Sequence, residues 1–271
     1  MSDGTAVTWA RRPEVLKNKT AVQLRRFYIP ELTEREATVV LPDGESQHAL
    51  KVLRLAPGDE LLLLNGKGVV ARAELLEAPA GVRRARQALC RILDLQNVAR
   101  TEPALVLCVA PPRGKAFDWV LRAATELGVA AIQPILCRYG VARPEGVSEN
   151  WHDTLVGALK QSQNPWLPEL CEPRDFSAVL EETSFKGETC IFGASPAAEA
   201  TPHQPLSSES AKRVTRVWVG PEGGFAPDEE TALLKAGCVP VTIGSATLRV
   251  ETAVPALMGY LWGRLAVGKE D

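Results

Sequence analysis

Near the C-terminal end, Gly220-Pro221-Glu222-Gly223-Gly224-Phe225 follows directly on the apolar run Val217-Trp218-Val219 and precedes Pro227-Asp228-Glu229-Glu230. That order reads as strand, tight glycine loop and helix, the helix stopping at Gly237. Glycines let the backbone turn through angles closed to other residues and let a ligand touch main-chain atoms. Such a loop can present amide donors and carbonyl acceptors to an adenine edge and a ribose, or it can be only a tight turn. The spacings of a P-loop and of a dinucleotide fingerprint are both absent. Glu222 would repel phosphate, so a ligand that is cationic or free of phosphate fits better. S-adenosylmethionine is such a ligand.

A second constellation spans 241–253, Val-Thr-Ile-Gly-Ser-Ala-Thr-Leu-Arg-Val-Glu-Thr-Ala, a strand and a polar loop feeding a last helix that opens near Glu251. Val254, Leu257, Met258, Leu261 and Leu265 recur at three- and four-residue steps, and Pro255 is tolerable only in the first turn. The stripe reads as core, part of which could also face a second subunit. Arg249 carries a permanent cation beside the loop, and Glu251 is its nearest candidate partner for an ordinary surface pair.

The elements that position these loops alternate strand and helix from about residue 100 onward, which implies a parallel sheet flanked by helices. Strands are expected over 104–109, 131–136, 189–192, 214–219 and 241–243. Helices are expected from Phe117 to Gly128 and over 151–161. Before residue 100 the texture differs: short strands over 27–29, 37–41, 61–64, 69–75 and 90–95, punctuated by Pro and Gly, read as a small barrel. A helical stretch, 48–55, turns Leu50, Leu53 and Leu55 inward. The expected division is an extension over 1–24, a β-rich domain over 25–98 and an α/β domain over 99–271.

With 271 residues, 45% hydrophobic and 24% charged, the chain has ordinary globular proportions. It has neither a bilayer-length apolar run nor a leader-like apolar core near the N-terminus, so a cytoplasmic protein with no membrane partner is expected. The net charge of −2 is uneven: residues 1–100 hold 16 Lys and Arg against 12 Asp and Glu, the rest 15 against 21. A basic module attached to an acidic one suits polyanion binding. The six cysteines stand apart without a His at ligand spacing, which predicts buried thiols and no metal site.

These residues resemble the uracil-N3 methyltransferases of small-subunit ribosomal RNA, a family of the trefoil-knot (SPOUT) superfamily. The likeness runs from Arg25-Arg26-Phe27-Tyr28-Ile29-Pro30 through His48-Ala49-Leu50-Lys51-Val52-Leu53-Arg54-Leu55 and Pro57-Gly58-Asp59 to Thr125-Glu126-Leu127-Gly128-Val129. Its most specific part is Val219 to Phe225, followed by Ile243-Gly244 and by Leu248-Arg249-Val250-Glu251-Thr252-Ala253. The resemblance implies a PUA-like N-terminal β-barrel, a C-terminal trefoil-knot parallel-sheet domain, S-adenosylmethionine as cofactor, and a homodimer packed through the last helix. Three loops would hold the cofactor: Phe192-Gly193-Ala194, Gly220-Pro221-Glu222-Gly223-Gly224, and Ile243-Gly244 with Leu248-Arg249. The substrate would be ribosomal RNA or the small ribosomal subunit. The family usually has Lys where this chain has Ala123, and Arg where it has Gln163-Asn164-Pro165, differences that touch RNA contacts more than cofactor loops.

Transfer to uracil N3 requires loss of the N3 proton and stabilisation of the resulting anion. Arg249 is the candidate cation. Glu222 is a candidate base, or a cap for neighbouring amides. Neither His48 nor His203 is placed to help. Arg25, Arg26, Lys51 and Arg54 are candidate phosphate contacts. A side chain at Gly220 or Gly223 is expected to fill the adenosine's space. Two other readings remain: a catalytically silent RNA-binding or ribosome-assembly protein of the same fold, and a knotted enzyme methylating another RNA position.

Overall fold

A computed structural model describes residues 24–77, 87–183, 188–195 and 214–266. All of the expected extension over 1–24 except Leu24, and residues 196–213, lie outside the described residues. The chain separates into two compact units.

The N-terminal unit has a curled five-stranded sheet of order β1-β3-β4-β5-β2: β1 Arg25–Tyr28, β2 Thr38–Val40, β3 Glu60–Leu64, β4 Val69–Leu75 and β5 Leu89–Asn97. Within this sheet, among the described residues, only the β1–β3 pair is parallel. The expected helix over 48–55 is a short α-helix, α1 Asp43–Gln47, running into a π-helical turn, His48–Val52. That turn still directs Leu50, Leu53 and Leu55 against the barrel core.

Leu61 to Leu64 forms an unbroken apolar run, which an antiparallel sheet with one wet face would not favour. The structure gives the reason. Leu61 and Leu63 join the main core with Phe27, Leu41 and Ala71. Leu62 and Leu64 face the other way, into a second cluster with Val70, Val98, Leu159 and Leu167. The segment Leu159–Leu167, some sixty residues downstream of β5, belongs to this unit and covers the second face. It is bound there by Trp166, whose indole donates to the Val98 carbonyl at 3.0 Å and lies 4.6 Å beneath the Arg100 guanidinium. Gly68, at φ +98°, leaves no room for a side chain: a Cβ there would stand 2.6 Å from the Trp166 ring.

The C-terminal unit comprises Thr101–Ala158 and the residues from 168 onward. Its sheet is wholly parallel, in the order β12-β10-β11-β6-β7-β8, with β9 also on β7. The strands are β6 Ala104–Val109, β7 Ala131–Leu136, β8 Glu169–Leu170, β9 Arg174–Asp175, β10 Glu188–Gly193, β11 Val214–Val219 and β12 Val239–Val241. The helices are α2 Ala116–Glu126, α3 Glu149–Ser162, α4 Phe176–Glu182, α5 Pro227–Lys235 and α6 Val250–Ala266. α3 is assigned to this unit as far as Ala158. Buried on both faces, such strands read as continuous apolar runs, which is why 104–109, 131–136 and 214–219 match expectation residue for residue. Along α6, Val254, Leu257, Met258 and Leu261 are all buried, so this part of the stripe is core.

β12 lies two residues earlier than expected. Pro240 pairs within it opposite Phe192, tolerated because β12 is an edge strand. The expectation of six thiols also needs correction. Ile191 pairs with Val239, so the preceding residues Cys190 and Cys238 sit side by side with Cα atoms 4.6 Å apart, joined as a disulfide. Of the four free cysteines, Cys171 is only half-buried. Among the described residues no helix is long and apolar enough to cross a membrane, and no group of three His, Cys, Asp or Glu is arranged to hold a metal.

Candidate active site

At the carboxyl ends of β10, β11 and β12 the chain encloses a cavity of about 300 Å³, the usual place for a ligand in a parallel sheet. Three stretches wall it. Gly193, Ala194 and Ser195 follow β10; Val219 through Gly224 follow β11; Val241, Ile243 and residues 246–248 follow β12. Val250, Ala253 and Leu257 of α6 close the floor. A Cβ on Gly193 would stand 3.1 Å from a Leu257 methyl, so this position cannot grow without displacing the floor. The loops are tied by main-chain bonds: Ala194 N–H to the Val241 carbonyl at 3.0 Å, Gly224 N–H to Pro221 at 2.8 Å, and Ala110 N–H to Val219 at 2.9 Å.

Of the residues expected at a cofactor, the cavity brings together Gly193, Ala194, Gly220, Pro221, Glu222, Gly223, Gly224, Ile243 and Leu248. It does not bring in Phe192, which is fully buried in the core against Phe225, with ring centroids 6.1 Å apart. Gly244 turns the chain at φ +71° just outside the wall. Arg249 also stands off the wall. Its side chain is 83% exposed and lies 3.9 Å from Glu251, while its carbonyl accepts the N–H groups of Thr252 and Ala253 and so opens α6. Ala246, Thr247, Val250 and Ala253 lie within the 241–253 constellation and Leu257 in the apolar stripe, but nothing in the sequence marks these or Ser195 individually as cavity residues.

Among the described residues, Glu222 is the only charged side chain in the cavity wall. It is exposed and, among those residues, accepts no protein hydrogen bond, so the capping role allowed for it is not seen. Glu229 performs that role instead. Its Oε2 accepts the Ala226 N–H at 2.8 Å, and its Oε1 accepts the Arg138 N–H of the loop after β7 at 2.8 Å. A side chain added at Gly220 or Gly223 would crowd neighbouring protein atoms. A Cβ on Gly220 would lie 3.1 Å from Phe225 N, and one on Gly223 would lie 3.2 Å from Tyr139 Cβ.

In the N-terminal unit Arg25 and Arg26 lie on the edge strand β1, while Lys51 and Arg54 belong to the π-helical turn and its end. The two elements meet through Phe27 and His48, 6.2 Å between ring centroids. Arg25, Lys51 and Arg54 are exposed; Arg26 is half-buried.

A cavity with a glycine-loop wall, an apolar floor and no cation among its described lining residues suits a nucleoside with a positive rather than a phosphorylated tail. The family comparison agrees with that geometry: a model described as an RNA methyltransferase domain matches residues 100–262, and one described as an RNA methyltransferase PUA domain matches 41–81. The chain belongs to the RNA methyltransferase family.

Relatives of this RNA methyltransferase include the "Ribosomal RNA small subunit methyltransferase E" of Mycobacterium tuberculosis, 30% identical over 242 residues covering 86% of this chain and 89% of that one. The protein of the same name from Synechocystis is 29% identical over 220 residues, 80% of this chain and 70% of that one. Among solved structures, the Ribosomal RNA small subunit methyltransferase E of Neisseria gonorrhoeae bound to S-adenosyl methionine superposes with a TM-score of 0.76 at 27% identity, over 89% of this chain and 97% of the other. These likenesses bear out the α/β knotted-domain and PUA-like assignment made from the sequence.

Proposed function

We propose that this RNA methyltransferase binds S-adenosylmethionine in the cavity between Gly193 and Leu257 and methylates N3 of a uridine in small-subunit ribosomal RNA, acting in the cytoplasm as a homodimer. The observation that carries the reading is the composition of the cavity wall. Glycine-loop backbone supplies polar contacts to adenine and ribose, and Glu222, alone in charge among the described lining residues, favours a cationic tail.

S-adenosylmethionine, when bound, supplies the methyl group and a sulfur leaving group. The chain's own residues bind, align and dry the site. Val219 and Val241 in the wall and Leu257 in the floor present apolar surface that excludes water. Glu222, with no protein hydrogen bond among the described residues, is the carboxylate available to accept the N3 proton. Arg249 is exposed at the opening of α6 and bound only loosely to Glu251, so it can swing to the anion that remains on the base. Arg25, Arg26, Lys51 and Arg54 meet phosphates on the N-terminal unit.

Calorimetry with S-adenosylmethionine tests the first step, and tritium transfer from labelled cofactor to small-subunit RNA, followed by nucleoside analysis, tests the second. The expected product is 3-methyluridine. Absence of cofactor binding overturns the enzyme reading; a different methylated nucleoside overturns the uracil-N3 assignment alone.

A further inference from the structure

Tyr139 stands in the loop after β7 with 49% of its surface exposed. Among the described residues its hydroxyl has no hydrogen-bond partner. Yet the ring is not on a loose tether. Its Cβ packs where a Gly223 side chain would stand, at 3.2 Å from such a Cβ, with ring atoms Cγ and Cδ2 at 3.8 Å. The loop that bears it is braced on both sides. Arg138 donates its N–H to Glu229 at 2.8 Å and its guanidinium to Asp228 at 2.6 Å. Gly140 N–H and the Arg143 guanidinium both donate to the Cys137 carbonyl, each at 3.1 Å.

A large aromatic side chain is therefore fixed beside the glycine loop, with half its surface unsatisfied by the protein's own packing. Tyr139 does not line the cavity. It packs on Gly223, which does line the cavity, so its exposed ring is within reach of an acceptor brought to the site without being part of the wall around the donor.

We infer that Tyr139 stacks on a base of the RNA acceptor, the target pyrimidine or its immediate neighbour. The inference rests on the RNA methylation reading above. A base whose N3 is to react must leave its stack and its pair. An aromatic face at the mouth restores the stacking it has given up, and any base can supply the matching π-face. A tyrosine already held by a braced loop provides that stacking at small entropic cost, having only two side-chain torsions to fix.

The test compares Tyr139→Phe, Tyr139→Leu and Tyr139→Ala in the full chain by single-turnover methylation of small-subunit RNA, with cofactor calorimetry, melting and sedimentation on each. Loss of stacking in the Leu and Ala variants is expected to lower kcat/KM for RNA by about tenfold or more. Cofactor affinity should stay within about twofold, and the Phe variant should recover most of the loss. Leu keeps apolar bulk against Gly223 without a ring, so a fully active Leu variant overturns stacking in favour of simple support of the loop. Loss that tracks cofactor affinity, melting or a change of oligomeric state overturns it too. A wild-type chain that transfers no methyl to RNA refutes the underlying reading instead, whereas an active wild type with an equally active Ala variant refutes the Tyr139 inference alone.

Discussion

The Glu229 carboxylate accepts the backbone N–H of Arg138 at 2.8 Å across 91 residues of sequence. Its other oxygen holds the Ala226 N–H at the opening of α5, so one buried side chain fixes the glycine loop and the loop after β7 together. Glu229→Gln leaves one acceptor oxygen for two donors, and Glu229→Ala leaves none. The alanine variant should lose about 1–3 kcal/mol of stability, the glutamine variant less. Both should bind S-adenosylmethionine more weakly. Denaturant titration alongside calorimetry checks the pair; a wild-type midpoint in Glu229→Ala would show that water replaces the carboxylate without cost.

Gly220→Val should distort the loop, since its first added carbon already crowds Phe225 N at 3.1 Å. Gly223→Val should act differently, by displacing Tyr139. Cofactor affinity falls in both, while RNA affinity falls further in the second. Equal RNA affinity in the two folded variants would contradict this division.

Arg249→Ala should leave stability within about 0.5 kcal/mol of wild type, because the side chain is 83% exposed and its ion pair spans 3.9 Å. Turnover should drop on the order of 100-fold or more if the cation stabilises charge formed only in the transition state. Arg249→Lys keeps the charge without the planar fork and should restore only part of the rate. Single-turnover methylation beside a melting curve decides, and near-normal turnover in the alanine variant reduces Arg249 to a helix-opening residue.

Arg25→Glu with Lys51→Glu should weaken RNA association and reduce the slope of log affinity against log salt by about 0.7–0.9 for each phosphate no longer neutralised. Both side chains are exposed, so folding should be unaffected, whereas half-buried Arg26 would confound the measurement. An unchanged salt slope removes this surface from the docking site.

Burial pushes the Cys90 and Cys108 thiols from an ordinary value of about 9 up to about 12. Because the folded state disfavours the thiolate, the stability these groups contribute is intact below pH 9 and is lost as pH rises from 9 toward 12. Alkaline unfolding should therefore steepen in that window, and Cys90→Ala with Cys108→Ala should flatten it. Thiol titration in denaturant should find four groups before reduction and six after, given the Cys190–Cys238 bridge; six at the outset would show the bridge unformed.

Much of the α/β unit is legible in the sequence because a parallel strand buried on both faces must be apolar throughout, as at 104–109 and 214–219. The glycine loop is legible for the same local reason: strand, turn and helix signals are adjacent in the chain. What stays hidden depends on distance. Nothing near Glu229 announces Arg138, and nothing near Tyr139 announces Gly223. The two-residue strands β8 and β9 are too short to carry a period, and Phe192 enters the expected cofactor set only through the family resemblance, whereas burial in the core sets it apart from the two wall residues that follow it.

The leucine run of β3 bears on how such a protein can be rearranged. Its second face packs with Leu24, Tyr28, Val70 and Val98, and its cover is completed only by Leu159 and Leu167 from far downstream. The N-terminal unit is therefore not a portable cassette: a fragment cut at residue 100 would leave Leu62, Leu64 and Val70 without Leu159 and Leu167, partly uncovered, and invite self-association. Grafting the unit onto another enzyme would require splicing in a second, remote piece of chain, so exchange of the two halves by simple recombination near residue 100 should yield insoluble products.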